Sequence, residues 1–165
     1  MITVPALTER PSAHYVAIDV VAAMSELPTV IPEVFDEIFA WVEARGIDAT
    51  GASFIKYDVI SMPDRLAMQF AIQVPEPLDG DDRVHPGEIP GGTYGVVTHT
   101  GPYEELYDVT AVIIGWAKER SITWDARDTP EGQAFVSRLE RYLVDPGDEP
   151  DSSKWVTEVA IKVAD

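Results

Sequence analysis

Between residues 65 and 74 the chain reads RLAMQFAIQV, with a large apolar side chain at every second position. Successive side chains on a strand point to opposite faces, so Leu66, Met68, Phe70, Ile72 and Val74 share one face of an extended segment. That face is continuous enough to need a helix over it. The opposite face carries Arg65, Ala67, Gln69, Ala71 and Gln73. Period-two alternation also predicts strands over HYVAIDVVA (14–22), FIKYDVIS (54–61), TYGVVTHT (93–100) and KWVTEVAIKV (154–163), and a further strand starting at SITWD (121–125). Helical spacing replaces it from Glu33 to Arg45, where Val34, Ile38, Trp41 and Val42 form one stripe that Phe35 and Phe39 widen; Gly46 closes it. SELPTVIPEV upstream supplies turn and start signals. A second helix is predicted over GPYEELYDVTAVIIGWAKER, with Pro102 in its first turn and Leu106, Val109, Ile113 and Trp116 on its apolar stripe. The stretch VPEPLDGDDRVHPGEIPGG (74–92) reads as an irregular linker. Pro130 to Arg141 is expected to form a short helix after a Thr129 cap.

The two halves echo one another. WVEARGI and WAKERSI share W-x-x-x-R-x-I at a separation of 75 residues, and AIQV and AIKV match at a separation of 89. Tyr15 and Tyr94 take the same place in the leading strands, and Tyr57 pairs with Tyr142. The pattern predicts one α+β domain over 1–165, built from duplicated β-α-β-β units whose antiparallel sheets carry helices on one face, with a ligand groove between the halves. The repeats would run from about 14 to 75 and about 93 to 164, with the linker between. Aligning AIQV with AIKV puts Glu158 at the position of Gln69, each flanked by small residues on the uncovered face: Ala67 and Ala71, or Val156 and Ala160. Such a floor suits a flat ligand, while a charged residue on a wet strand gives the same alternation, so Glu158 faces either a groove or water. Tyr15 and Tyr94 fall on its side. Tyr57 and Tyr142 are ambiguous by alternation, Trp155 falls on the covered face, and Trp41 and Trp116 read as core.

Composition narrows the chemistry. Twenty-nine acidic against 12 basic residues give a formal charge of −17 over 165 residues. That field repels phosphate backbones, so no direct nucleic-acid partner is expected. There is no cysteine, which removes disulfides, thiolate metal sites and thiol nucleophiles. His14, His85 and His99 are scattered, so neither a metal nor a cofactor is expected. No apolar run approaches membrane-spanning length and no signal-peptide pattern stands at the start, pointing to a soluble, cytoplasmic protein without a membrane partner.

IPGGTYGVVTHTGPYEEL (89–106), YLVDP (142–146) and WVTEVAIKV (155–163) carry a resemblance that spans Tyr15 to Val163. The chain resembles the GyrI-like small-molecule-binding family, found as the effector-binding part of AraC-type and MerR-type multidrug-sensing regulators. The resemblance implies two β-α-β-β units with a groove between them, and a glutamate of the final T-E strand, here Glu158, facing cationic, aromatic or lipophilic ligands. It carries over less strongly to Tyr57, Tyr94 and Tyr142. With Tyr15, Gln69 and Ala160 from the repeat, these make the expected binding site. Between Trp124 and Arg141 the chain departs from the family pattern through an insertion.

The expected function is that of a stand-alone binding protein for a hydrophobic or cationic aromatic small molecule. About 13 residues precede the first predicted strand, too few for a helix-turn-helix. The family also implies a hydrolase alternative, opening strained cyclopropane rings in natural products with Glu158 as base and Tyr142 or Tyr57 as proton donor. A third expectation, from the gyrase inhibitor that names the family, is a protein-interaction role.

Overall fold

The computed structural model describes residues 1–49 and 51–165. Its strands are β1 (Ala6–Arg10), β2 (Ala13–Ala22), β3 (Ser53–Ser61), β4 (Arg65–Val74), β5 (His85–Ile89), β6 (Gly92–Thr100), β7 (Ala126–Thr129), β8 (Gly132–Phe135), β9 (Arg138–Val144) and β10 (Val156–Lys162). The helices are α1 (Leu27–Ala44) and α2 (Leu106–Glu119). All ladders are antiparallel, in the order β1-β6-β10-β9-β3-β4-β2-β5, with β7 and β8 attached through β3. Read outward from the central β3–β9 pair, each side repeats one arrangement: β4, β2 and β5 on one, β10, β6 and β1 on the other.

This order dictates the shape. Pro11 and Ser12 alone join β1 to β2, although six strand spacings separate the two along the sheet. In a flat sheet that would be roughly 29 Å at about 4.8 Å per strand. The link offers three Cα steps, about 11 Å at most. Pro90 and Gly91 join β5 to β6 under the same constraint. The sheet must therefore roll, bringing its two margins together on the face away from the helices.

Three cores result. Under α1, Val34, Ile38 and Val42 pack on Val16, Ile18, Met68, Phe70 and Ile72. Under α2, Val109 and Ile113 pack on Val97, Val159 and Ile161, with Phe135 from β8. The third core lies inside the roll, where Tyr15, Phe54, Ala71, Tyr94, Leu139 and Ala160 are buried with no helix over them. Burying such a side chain contributes about 1.5–3 kcal/mol, so each core is a substantial part of the fold.

Gly87 permits this inner core. A Cβ there would lie 2.3 Å from the Tyr15 ring, which is wedged edge-on against Phe54 with centroids 5.4 Å apart. Gly87→Ala is expected to cost about 2 kcal/mol through overpacking, measured as a shift of the urea midpoint.

Several sequence expectations are corrected. Helix α1 begins at Leu27 rather than near Glu33, because Pro28 sits in the first turn, where a backbone N–H has no intrahelical partner. The 74–92 stretch is not an irregular linker: it contains β5, paired to β2 from Ala13↔Ile89 to Ala17↔His85. It is also tied to α1 through Asp81. One carboxylate oxygen accepts the N–H groups of Val84 and Arg83, and the other accepts the Trp41 indole at 2.8 Å. These bonds, led by that from Val84, hold the Asp81 carboxyl down to about 2. The expected helix from Pro130 to Arg141 is instead the β7–β8 hairpin followed by β9. Gly132 has φ +134, and a Cβ there would meet the Ile60 carbonyl oxygen at 2.5 Å, so the chain turns where a helix would have continued. SITWD contains no strand; Trp124 makes only an isolated bridge to Val163. β1 was not expected. Among the described residues no helix is long and apolar enough to cross a membrane.

Candidate functional site

Each helix covers its own half of the sheet, which leaves the β3–β9 seam between them on the helix side. Period-two alternation on β9 brings Arg138, Glu140 and Tyr142 to that face, and Tyr57 comes from β3. Phe35 of α1, Tyr103 from the turn before α2 and Trp155 just before β10 complete an aromatic wall. Trp155 and Tyr103 lie with centroids 4.7 Å apart, Tyr103 meets Tyr142 edge-on at 5.5 Å, and Phe35 meets Tyr142 edge-on at 5.8 Å. The Trp155 indole is fixed by donating to the Glu149 carbonyl at 2.7 Å.

Glu140 sits half-buried at the foot of this wall. The Tyr142 hydroxyl donates to its Oε1 at 2.5 Å, and the Tyr57 hydroxyl reaches Oε2 at 3.5 Å. Burial pushes the Glu140 carboxyl above its ordinary range, against the Tyr142 hydrogen bond, the charge of Arg138 and the Tyr57 contact. Burial, then the Glu140 charge, raises Tyr142 and Tyr57 well above ordinary phenols, so both remain donors. Arg138 lies over the Phe135 ring at 4.9 Å, and burial lowers its affinity for its proton. Among the described residues Glu140 has no ion-pair partner. A cleft of about 690 Å³ opens beside Tyr142, between Phe39, Ser53 and the turn at Asp145 and Asp148.

Glu158 lies on the opposite face, inside the roll. Arg10 forks onto it, Nη1 to Oε1 and Nη2 to Oε2, each at 2.8 Å, and Arg141 Nη1 reaches Oε1 at 2.9 Å. Burial alone would raise this carboxyl; hydrogen bonds from Arg10 and Arg141, with their charge, more than offset it and hold it below the usual range. Tyr15 donates to Gln69 Oε1 at 2.7 Å, and Gln69 Nε2 donates to Asp58 at 2.8 Å. Burial raises the Tyr15 hydroxyl to about 12. Tyr94 is fully buried, its hydroxyl 2.7 Å from the Pro90 carbonyl, and Ala160 is buried beside it.

The residues expected to form one site therefore divide. Glu158, Gln69, Tyr15, Tyr94 and Ala160 share the rolled face, whereas Tyr57 and Tyr142 stand on the helix side. The expected pairing of Glu158 as base with Tyr142 or Tyr57 as proton donor is corrected, because the sheet separates them. Sequence reasoning left Arg10, Tyr103, Arg138, Glu140 and Trp155 out of the expected binding site. The spacing Glu140-x-Tyr142 was the available signal, since two residues apart on a strand means one face. Arg10 had none, lying 148 residues from its partner.

The sequence model of the GyrI-like small-molecule-binding domain matches residues 5–164. The chain belongs to the GyrI-like family. It is a small-molecule-binding domain. Among curated protein sequences none matches significantly. Among solved structures, this GyrI-like domain resembles the C-terminal domain of EcmrR, at a TM-score of 0.75 and 22% identity over 97% of this chain and 96% of that one. It spans 57% of the EcmrR chain in a complex with DNA, with which it shares 22% identity at a TM-score of 0.76 over 98% of its own length. A hydrolase from Listeria innocua aligns at 0.64 with 13% identity, over 97% of this chain and 91% of that one. SAV2435 bound to tetraphenylphosphonium aligns at 0.61 with 11% identity, over 97% and 93%. At these identities the likeness is one of fold.

Proposed function

We propose that the aromatic cluster over the β3–β9 seam, between α1 and α2, binds a lipophilic aromatic cation, with Glu140 as its counter-ion. The observation that carries this is the contrast between the two glutamates, one on each face of the sheet. Glu158 is already matched by two guanidinium groups, whereas Glu140, among the described residues, has neutral hydroxyl donors and no ion pair, feels Arg138 only without direct contact, and is raised by its own burial. A delocalised cation relieves that cost while demanding little desolvation of its own. The rings of Tyr103, Tyr142 and Trp155 add stacking and cation–π attraction of about 0.5–2 kcal/mol per contact. Neither contribution needs a fixed substituent pattern, which favours a sensing or sequestering role over recognition of one compound. The tetraphenylphosphonium complex of SAV2435, a structure of the same fold, supports this choice of ligand class.

Calorimetric titration with tetraphenylphosphonium is expected to give saturable one-to-one binding, weakened about tenfold by Trp155→Ala through loss of one aromatic wall. Absence of saturable binding by this and other aromatic cations would sink the proposal. A second reading, hydrolysis, is favoured by one observation: Glu140 has two tyrosine hydroxyls on its carboxylate, so a base and proton donors share a face. It calls for turnover of a strained cyclopropane substrate, lost in Glu140→Gln.

A further inference from the structure

We propose that this domain has a second ligand site, inside the rolled face of the sheet, that takes a small apolar carboxylate through Arg141 and Arg10. It stands independently of the aromatic cluster at Glu140. A cavity of about 320 Å³ opens there, with Arg10, Arg141 and Gln73 supplying its polar lining and Ile89, Tyr94 and Leu139 its apolar lining. It lies where the Pro11–Ser12 link draws the sheet margins together, so the roll itself creates it.

Its charge is the reverse of the helix-side cluster. Two guanidinium groups share the single carboxylate of Glu158, leaving a local excess of one positive charge in a chain of formal charge −17. Arg10 commits both terminal nitrogens to Glu158, but Arg141 commits only Nη1. Among the described residues its Nη2 and Nε have no acceptor, nor is the Gln73 side-chain amide engaged. A planar carboxylate matches the unspent edge of a guanidinium in shape and in charge. Glu158 holds both arginines in place beforehand, so a ligand would not have to order two flexible side chains. The volume is at the low end for small-molecule sites, which selects a one- or two-ring or short-chain acid. A cation would face two arginines and is disfavoured.

The test is titration of the 15N-labelled domain with 1-naphthoate at low salt, read by NMR at the arginine Nε–H groups and the amides of Ala13 and Ile89. Saturable shifts at these positions are expected, with affinity reduced at least tenfold in Arg141→Gln. Affinity should be unchanged in Glu140→Gln and under saturating tetraphenylphosphonium. Should Arg141→Gln not fold, Gln73→Glu keeps both arginines, places a carboxylate on the cavity wall and is expected to give the same loss. The proposal is overturned by absence of saturable shifts up to about 10 mM naphthoate. It is equally overturned by shifts confined to Tyr142 and Trp155, by displacement with tetraphenylphosphonium, or by an affinity insensitive to the cavity substitutions.

Discussion

Replacing Glu140 by Gln is expected to lower the affinity for tetraphenylphosphonium about 100-fold, roughly 3 kcal/mol, while making the free domain more stable. Both effects have one cause. The carboxylate is half-buried with hydroxyl donors and, among the described residues, no ion pair; burial outweighs these donors and the charge of Arg138, so the folded chain holds its proton more tightly than the unfolded chain does. Its contribution to stability therefore falls as pH rises from the ordinary glutamate range through the raised folded value. Glutamine keeps the shape and can accept from Tyr142 without being charged, so the variant should gain about 1 kcal/mol at neutral pH and nothing in acid. The ligand sees the opposite slope. A cation binds the ionised carboxylate, so wild-type affinity should climb with pH through the Glu140 titration and then level, while Glu140→Gln stays flat. Calorimetry across that range measures the first effect and thermal unfolding the second. A variant that binds as tightly as wild type, or wild-type affinity independent of pH, would remove Glu140 from the site.

How far all this was legible in the sequence depends on the range over which the physics acts. β4 and β10 could be read because one face of each is buried under a helix and alternation is a local signal. The faces assigned to Leu66 through Val74 and to Glu158 are those observed. β5 was hidden because HPGEI carries the residues of a turn: Pro86 and Gly87 look like breakers, yet this strand lies at the sheet margin and Gly87 makes room for Tyr15. β8 and the start of β9 read as a helix because a four-residue strand such as β8 is too short for its period to stand out. The site failed differently. Alternation places Glu158 on the uncovered face, facing a groove or water, but its neutralisation by Arg10 is a tertiary fact with no local trace. Arg138, Glu140 and Tyr142 alternate with Leu139, Arg141 and Leu143, and both sets mix apolar with charged residues. Only the pairing of β9 between β10 and β3 decides which set faces the helices.

Replacing Glu158 by Gln should have the reverse signature, a loss of stability with no loss of cation binding. The carboxylate joins Arg10 on β1 to Arg141 on β9, spanning β6 and β10, and so ties one margin of the roll to its centre. Without its charge the two guanidinium groups are left near one another, each with about a fifth to a quarter of its side chain exposed. Because water still reaches them, the cost should stand below the 3–5 kcal/mol of a fully buried pair, at about 2–3 kcal/mol, lowering Tm by roughly 5–10 °C. The pH dependence follows from the direction of the shift. A folded value below the unfolded one means that the stabilisation is fully present above the ordinary glutamate range and is lost as pH falls through the folded value. Wild type and variant should thus differ at pH 7 and converge in acid. A difference that persists or grows at low pH would assign the effect to packing rather than to the ion pair. The same substitution raises the local excess from one positive charge to two, so affinity for naphthoate in the rolled face should increase in Glu158→Gln even as stability falls. Those opposite signs separate a binding pair of arginines, held ready by Glu158, from a purely structural clip.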